Sequence, residues 1–479
     1  TVTTTALNTS GNIDTGVSKD VPLVIANNSD NDIDIIIGVA SGYVGNKITY
    51  GSNGYPNGTK ITNTYNSSDI KASCEGQIGD TSNCKVEIEN GKKNYYCLSK
   101  SEDLVEDPTG ANRPVLAEGM IPITYDGSNW IKADQYGAYN NWYDYGKQKW
   151  ANAVMVTTSK RETYMNADIG TTIPENDILA YFVWIPRYKY KLFNASYASN
   201  TQAQVIDVVF ENGTSTTGTV TCTYNTNGAE TCQNKANGNW YTHPAFTFGD
   251  TELKGIWVGK FETTGSTTTP TVKPGMTSLT NITIANMYSA SKLFRSTDYL
   301  SINGANESNF HMMKNIEWGA VAYLKQSKYG LGVTDIVLSS NSNAVIYTGG
   351  GSGTSYKTNT GQSTTGNITG VYDMSGGASE YVMGNYNKQT GSSGLMISSI
   401  PIEHIDIYSG TNVNYSHLGD AVGETAGWYR DSVDNSNRSW FTRGCQTGPG
   451  GHAGVFSFGT YTGEANNYYG FRVVISVTK

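Results

Sequence analysis

The sequence predicts a mainly β protein with a minor α part, and its composition leads to that prediction. Of its 479 residues, 54 are glycine and 33 are tyrosine, whereas only 15% are charged. Serine, threonine and asparagine fill most of the remaining polar positions. That balance suits pleated strands joined by short turns better than helices rich in alanine, leucine, glutamate and lysine. The length predicts roughly two to four domains.

The first segment of the chain has the sequence pattern of short strands. They are TVTTTAL, KDVPLVIAN, IDIIIGVA and KITYG, and turn residues separate them. Strands of this length and spacing are typical of an immunoglobulin-like β-sandwich. We predict such a domain, with a cysteine hairpin, over 1–100. A linker follows over 101–119, where acids, prolines and glycines show no periodicity.

Two Asn-Gly dipeptides predict hairpins that bring cysteines together. They lie in CKVEIENGKKNYYC and CTYNTNGAETC. Counting outward from Asn90-Gly91 sets Cys84 opposite Cys97, and Asn227-Gly228 places Cys222 and Cys232 across a second short hairpin. Such pairs indicate disulfides and therefore an oxidising, extracellular compartment; a metal site is the weaker reading because no histidine lies beside them. The predicted disulfides are Cys84 with Cys97 and Cys222 with Cys232, and Cys74 is an alternative partner for Cys84.

The remainder of the chain divides into a β-rich lead-in over 120–180 and a larger domain over 181–479. Pro186, in YFVWIPRYKYKLF, is expected at a strand edge or a bulge because proline cannot donate to a ladder. Helical periodicity is confined to ITIANMYSASKLF and NFHMMKNIEWGAVAYLKQS, where apolar residues recur every three to four positions from Met312 onward. After Gly330 we predict only strands, loops and turns.

Charge and hydropathy exclude several function classes. The net charge of −8 and the absence of a Lys/Arg run give no attraction for nucleic acid. The longest apolar runs, such as AYFVWI, are far shorter than a membrane span, so we predict no membrane insertion. No GxSxG, HExxH or P-loop motif is present, and the five histidines are dispersed. We therefore predict neither a metal nor a cofactor.

Five motifs in the C-terminal half resemble, in their order, those of formylglycine-generating-enzyme-like proteins. They are YFVWIPRYKYKLF, IWVGKFETT, MMKNIEWGAVAYL, TGNITGVYDMSGGASEYVMGNYN and SWFTRG followed by GFRVV. The resemblance covers about Tyr181 to Val474 and implies an expanded C-type-lectin-like α+β domain after the N-terminal sandwich.

The residues of these motifs have mainly structural interpretations. Val371, Met374, Ala378 and Tyr381 are expected to face a core, and Gly376-Gly377 permit positive φ or a close backbone approach. Glu380 and Arg472 are candidates for a semi-buried charge pair, which we favour over a catalytic carboxylate. For Glu317 and Glu262, too, we favour a structural charge pair over a catalytic role.

The enzymes of the family depend on two reactive cysteines near an RGG turn. Here Cys445 is in that position and no second cysteine follows it. His452 lies seven residues further on, in a Gly-rich loop, and is not a convincing base for a nucleophilic thiol. Oxidase activity is therefore kept as an alternative, and the primary prediction is a protein without catalysis.

The C-terminal segment resembles more closely a second branch of the same fold, the variable ligand-binding proteins that retroelements diversify. Their framework would correspond to Arg443, Gly444, Ala453, Gly454, Phe456, Phe458, Gly470, Phe471 and Arg472. In GVFSFG, Val455 and Ser457 alternate with the two phenylalanines, so we expect one face to pack and the other to meet solvent. The ligand-binding residues that the resemblance implies are Gln446, Thr447, His452, Ser457, Thr460, Tyr461, Asn466, Asn467, Tyr468 and Tyr469, and Trp428 and Tyr429 extend this set.

Together these patterns predict a surface recognition protein, an adhesin or receptor-binding protein, on a bacterial cell or a phage virion. Tyrosine, asparagine, serine and glycine are the residues that adaptable binding surfaces use. Its partner would be a protein or glycan on another cell or virion surface. A pilin-like or fibre subunit that assembles with copies of itself is the other alternative.

Overall fold

The fold was analysed in a computed structural model that describes most of the chain after Val105. For three strands of the N-terminal region only the backbone is described. The described residues are 106–478 without 136, 199–200, 296–307, 340–345, 411–415, 435, 437 and 446–452, together with the backbone of 60–62, 84–89 and 92–97.

The described strands are numbered in chain order. They are β1 Lys60–Thr62, β2 Cys84–Glu89, β3 Lys92–Cys97, β4 Ile121–Tyr125, β5 Trp130–Lys132, β6 Asn152–Val156, β7 Ile178–Pro186, β8 Tyr188–Lys191, β9 Val208–Phe210, β10 Thr221–Tyr224, β11 Glu230–Gln233, β12 Trp240–Thr242, β13 Thr247–Phe248, β14 Thr251–Glu252, β15 Gly255–Gly259, β16 Thr264–Gly265, β17 Pro270–Thr271, β18 Ser308–Met312, β19 Ser379–Tyr386, β20 Asp406–Tyr408, β21 Trp440–Gly444, β22 Gly454–Tyr461, β23 Tyr469–Phe471 and β24 Val473–Val477. The described helices are α1 Thr158–Met165, α2 Ile284–Leu293 and α3 Asn315–Lys325. The mainly β class with a minor α part is therefore confirmed.

The chain divides into two compact units. The first contains Thr1–Val105 and Asp134–Tyr139, and the second contains Glu106–Ala133 and Asn140–Lys479. The division after Val105 falls within the predicted linker 101–119.

The first unit contains a three-stranded sheet in the order β1-β3-β2. Its hairpin has the predicted register, with Cys84 opposite Cys97. The disulfide itself concerns side chains outside the described residues, as do the other strands predicted for the sandwich over 1–100.

A seven-stranded sheet forms the centre of the second unit, in the order β18-β24-β15-β7-β6-β4-β5. The predicted lead-in over 120–180 supplies β4, β5 and β6 to this sheet, next to β7. All residues of β15 and β24 are buried, which explains why their sequences are apolar runs without alternation. β7 ends at Pro186, as expected for a residue that cannot donate to the next ladder position.

A five-stranded sheet carries the C-terminal motifs, in the order β20-β19-β21-β22, with β23 also paired to β19. All eight residues of β19 are buried. β20 and β23 both run parallel to β19 and pair with opposite ends of it. β23 and β24 are separated by Arg472 alone, so this residue joins the two sheets through the chain.

The disulfide Cys222–Cys232 links β10 to β11, as predicted. The turn is one residue longer than a two-residue loop, and Gly228 has a φ of +82°. A Cβ atom at Gly228 would lie 2.0 Å from the carbonyl oxygen of Ile407 in β20. The tip of the hairpin therefore packs on the edge strand of the five-stranded sheet, a position where only glycine fits.

Two of the three helices were predicted, but the start of α3 differs from the expectation. Residues 309–312, which the predicted helical segment included, instead belong to β18 because they pair with β24 in the seven-stranded sheet. α3 begins only after Lys314, whose backbone N–H donates to Glu317 at 2.8 Å. α1 was missed because TSKRETYM has no apolar periodicity, and Arg161 and Tyr164 are its buried residues.

Candidate ligand-binding face

The C-terminal segment is fastened to the core at several points. Phe456, Phe458, Phe471, Val473 and Val474 are all buried, as the sequence predicted. Burial of five large apolar side chains at about 1.5–3 kcal/mol each holds this segment as part of the fold.

A buried ion pair joins β19 to the residue before β24. Arg472 donates to both carboxylate oxygens of Glu380, at 3.1 and 2.5 Å. It also donates to the carbonyl oxygens of Gly259 and Tyr372, at 2.7 and 3.0 Å. Arg472 and Glu380 are both fully buried, so the pair encloses the carboxylate away from solvent.

Two further carboxyl groups lie near this pair. Glu262 accepts from the N–H of Ala378 at 2.8 Å and from the Ser278 hydroxyl, and Asp373 accepts from the N–H of Gly349. Burial and then the charge of Asp373 raise the pKa of Glu262 well above its ordinary value. Burial also raises the pKa of Asp373 to about 7, although Arg472 opposes this.

The neighbouring residues of the Tyr-Asp-Met motif lie as predicted. Val371, Met374, Ala378 and Tyr381 are fully buried. Gly376 and Gly377 have φ values of +81° and +77°, a region that favours glycine.

The expectation that one face of GVFSFG meets solvent is wrong. Val455 and Ser457 are as buried as Phe456 and Phe458. Both faces of β22 are covered by the surrounding chain, and Phe456 packs against the rings of Trp428 and Tyr429. Ser457 is therefore inaccessible to a ligand.

Two other predicted ligand-binding residues are also buried. The indole of Trp428 donates to the Thr201 hydroxyl at 2.8 Å and packs against Phe456. The hydroxyl of Thr460 accepts from the N–H of Arg438 at 3.2 Å and so holds the segment that leads into β21. Tyr429 is half-buried, and its hydroxyl donates to the carbonyl oxygen of Val333 at 3.0 Å.

The accessible part of the predicted set lies at the other end of β22. Tyr461 and Tyr469 are half-buried with ring centroids 4.8 Å apart, and both pack against the core cluster that contains Tyr381 and Phe471. Tyr468 is 50% exposed and Asn467 is exposed.

The guanidinium of Arg438 lies 4.7 Å from the ring centroid of Tyr461. Arg438 is exposed and belongs to the same surface. We call Arg438, Tyr461, Asn467, Tyr468 and Tyr469 the tyrosine face.

The loop before β23 has little freedom because its backbone is bonded to neighbouring segments. Gly463 has a φ of +87°, and a Cβ there would lie 2.6 Å from that of Ser393. Asn466, which was predicted to contact ligand, is half-buried and accepts from the N–H of Tyr468 at 2.9 Å, an Asx turn. The tyrosine face is therefore presented on a fixed backbone.

Three of the described residues other than glycine have left-handed backbone near β21 and β22. Tyr429, Arg430 and Cys445 have φ values of +52°, +64° and +51°. Each costs on the order of 1–2 kcal/mol and persists only where surrounding contacts impose it. Cys445 is half-buried and is not part of a disulfide among the described residues.

The predicted set is thus divided into three groups by the structure. Gln446, Thr447 and His452 lie outside the described residues. Trp428, Ser457 and Thr460 are buried; Trp428 and Tyr429 pack on Phe456, whereas Thr460 lies at the opposite end of β22. Of the remaining members, Tyr461 and Tyr469 pack against each other, and Asn466, Asn467 and Tyr468 directly precede Tyr469 in the chain.

Arg438 was missed by the sequence reasoning. The signal that reveals it is the register of β21 and β22, in which Trp440 pairs with Tyr461. Arg438 lies two residues before Trp440, just outside β21, and this pairing brings it beside Tyr461. No local pattern around Arg438 indicates this.

The loop between β20 and β21 packs on α3. Glu424, in this loop, accepts hydrogen bonds from the hydroxyls of Tyr190 and Tyr323 and from the N–H of Gly419, at 2.7, 2.9 and 2.7 Å. Burial raises the pKa of Glu424 to about 7, against the effect of these three bonds. Its protonation therefore changes within the physiological range of pH.

Replacing Glu424 by glutamine is expected to remove part of the pH dependence of stability. The folded chain binds this proton more tightly than the unfolded chain, where the pKa is near 4.5. The free energy of unfolding therefore falls as the pH rises from about 4.5 to about 7. Glu424→Gln does not titrate, so the wild type should gain about 3 kcal/mol relative to the variant on going from pH 7.5 to pH 4.5. Urea denaturation of the wild type and the variant at both pH values measures this difference. The control is Glu162→Gln, at an exposed site, whose stability relative to the wild type should be the same at both pH values. If the stability of Glu424→Gln relative to the wild type were also the same at both pH values, the prediction would be contradicted.

One group of close potential metal ligands occurs in the described part of the chain, namely Cys222, Glu230 and Cys232. Both sulfur atoms are bonded to each other, so neither is available as a thiolate. The disulfide indicates an oxidising compartment.

No described helix has the length and apolar character that a membrane span requires. Neither a protein-family model nor a curated protein sequence matches this chain.

Proposed function

We propose that this chain is an extracellular recognition protein that binds its partner through the tyrosine face and performs no catalysis. The observation that carries the proposal is the grouping of half-exposed Tyr461 and Tyr469 with exposed Tyr468 and Asn467 above a buried core. Tyrosine contributes a large contact area at low cost in conformational entropy, and asparagine contributes adaptable hydrogen bonds. A fixed scaffold beneath them reduces the entropy lost on binding.

The proposal includes the scaffold that the sequence motifs imply, a C-type-lectin-like domain after an immunoglobulin-like one. The order of the five motifs supports it, and so do the buried pair Glu380–Arg472 and the five-stranded sheet that contains β19, β21 and β22. We further propose that the protein is displayed on a bacterial cell or a phage virion, and that retroelement diversification acts on its last segment. A reverse transcriptase gene with a near-identical template repeat beside the coding sequence would be the genomic sign of that process.

A binding array tests the function while the ligand is still unidentified. The array carries defined oligosaccharides and purified cell-surface proteins, and the probes are the whole chain and its Asn467→Ala/Tyr468→Ala variant. Both substituted side chains are exposed, so the fold should be retained. We expect the wild type to bind a restricted set of array members and the variant to bind them at least about 30-fold more weakly, as for loss of an interface hot spot.

The matched control is Tyr224→Ala, which removes a tyrosine of similar exposure, 42% against 50% for Tyr468, from the β10–β11 hairpin. It should bind like the wild type. Binding by the double variant at wild-type strength, or an array with no bound member, would overturn the proposal. So would copper-dependent oxidation of a cysteine-containing peptide that Cys445→Ser abolishes, because that result would establish the oxidase alternative.

A further inference from the structure

The tyrosine face contains one cation, Arg438, that forms no ion pair with any carboxylate in the described part of the chain. Arg438 is exposed, and its contacts in the described part of the chain are the ring of Tyr461 and the Thr460 hydroxyl that accepts from its N–H. Neither of these groups is a carboxylate. On a chain with a net charge of −8, an arginine that makes no ion pair among the described residues is notable.

The position of the guanidinium over the ring of Tyr461, 4.7 Å from its centroid, restricts this arginine. A guanidinium held over an aromatic face keeps its plane fixed, while the N–H groups at its edge stay directed away from the ring. Such an edge matches a carboxylate, which can accept two parallel hydrogen bonds from it. The favoured ligand group beside Tyr461 is therefore a carboxylate.

The rest of the face indicates what carries that carboxylate. Tyr468 is 50% exposed and can present a ring surface with a hydroxyl group, Tyr461 and Tyr469 are partly accessible beside it in the chain or the fold, and Asn467 adds an exposed amide. A sugar ring has an apolar C–H face that can lie on such a ring and hydroxyl groups that can bond to the phenol and amide groups. The overall negative charge repels a polyanion more strongly than a single carboxylate, whose attraction to the nearby Arg438 is local.

We propose that the tyrosine face binds a saccharide that bears one carboxylate, of the uronic or sialic acid class. Arg438 binds the carboxylate and the tyrosines bind the sugar ring. The inference rests on the proposed function of this face and adds the chemical class of its ligand.

The test uses oligosaccharides that end in a uronic or sialic acid, and the same oligosaccharides after chemical reduction of the carboxyl group to an alcohol. The whole chain is expected to bind the acids at least about 10-fold more tightly than their reduced counterparts, because the charge-assisted bonds are lost. Arg438→Gln should abolish this preference. Arg438→Lys should retain only part of it, since lysine keeps the charge but not the planar fork. Added salt should weaken binding of the acids more than of the reduced sugars.

The outcomes separate the ligand class from the function of the face. Equal binding of acid and reduced sugars, reduced by Asn467→Ala/Tyr468→Ala but not by Arg438→Gln, would overturn the inference and leave the proposed function standing. Tighter binding of an acidic peptide included in the series would also overturn the inference. Binding of the acids that survives the double variant would overturn both.

Discussion

Replacing Arg472 by methionine is expected to lower the free energy of unfolding of the second unit by about 3–5 kcal/mol. The guanidinium is fully buried and binds Glu380 through two hydrogen bonds. Its loss would leave a buried carboxylate and two backbone carbonyl groups, of Gly259 and Tyr372, without their donor. Truncating one partner of a buried pair costs far more than the pair contributes net, because the other charge stays buried and unpaired.

Chemical denaturation followed by tryptophan fluorescence measures this loss. Arg295→Met, at an exposed arginine, is the matched control and should change the stability by no more than about 0.5 kcal/mol. The double replacement Arg472→Met/Glu380→Gln should recover part of the loss, since it removes both charges. If Arg472→Met alone were as stable as Arg295→Met, the Glu380–Arg472 pair would not be needed to hold β19 and β24 together.

Gly319→Ala is expected to destabilise the second unit by about 3 kcal/mol, the upper end of the usual range for overpacking. Gly319 lies in α3, where alanine would ordinarily be favoured by about 1 kcal/mol. Here a Cβ would lie 1.9 Å from the carbonyl oxygen of Gly419, and backbone cannot yield as a flexible side chain does. The loop containing Gly419 also donates to Glu424, so moving it disturbs that hydrogen-bond network.

The reversal of the helix-propensity rule makes this test specific. Ser289→Ala, at an exposed position of α2, serves as the control and should be neutral or slightly stabilising. Denaturation curves of the two variants in the same buffer give the comparison. If Gly319→Ala were as stable as the wild type, the close approach of α3 and the Gly419 loop would be disproved.

Local rules were sufficient for the parts of the fold that depend on near neighbours. Counting from the Asn90-Gly91 turn gave the pairing of Cys84 with Cys97, and Asn227-Gly228 placed Cys222 and Cys232 across a second hairpin, because a hairpin closes within a few residues. The unusual Gly376-Gly377 pair indicated positive φ for the same reason, since only glycine adopts it without steric cost.

The same rules failed where distant segments determine the environment. Residues 308–312 form a strand because β24 lies beside them, although their own pattern continues into a helix. Ser457 and Thr460 are polar and were expected at a surface, yet the surrounding chain covers both faces of β22. Arg438 became part of the candidate site only through the register of β21 and β22.

The sequence by itself determined the mainly β class, the two cysteine hairpins and the apolar residues that fasten the C-terminal segment. It also identified the tyrosines and asparagines from which a binding surface could be built. Only the tertiary structure decided which of them are accessible, because accessibility depends on what packs against both sides of a strand and not on the strand's own alternation. It likewise decided that Arg438 lies over Tyr461, since contacts between strands follow from register, which no single segment encodes.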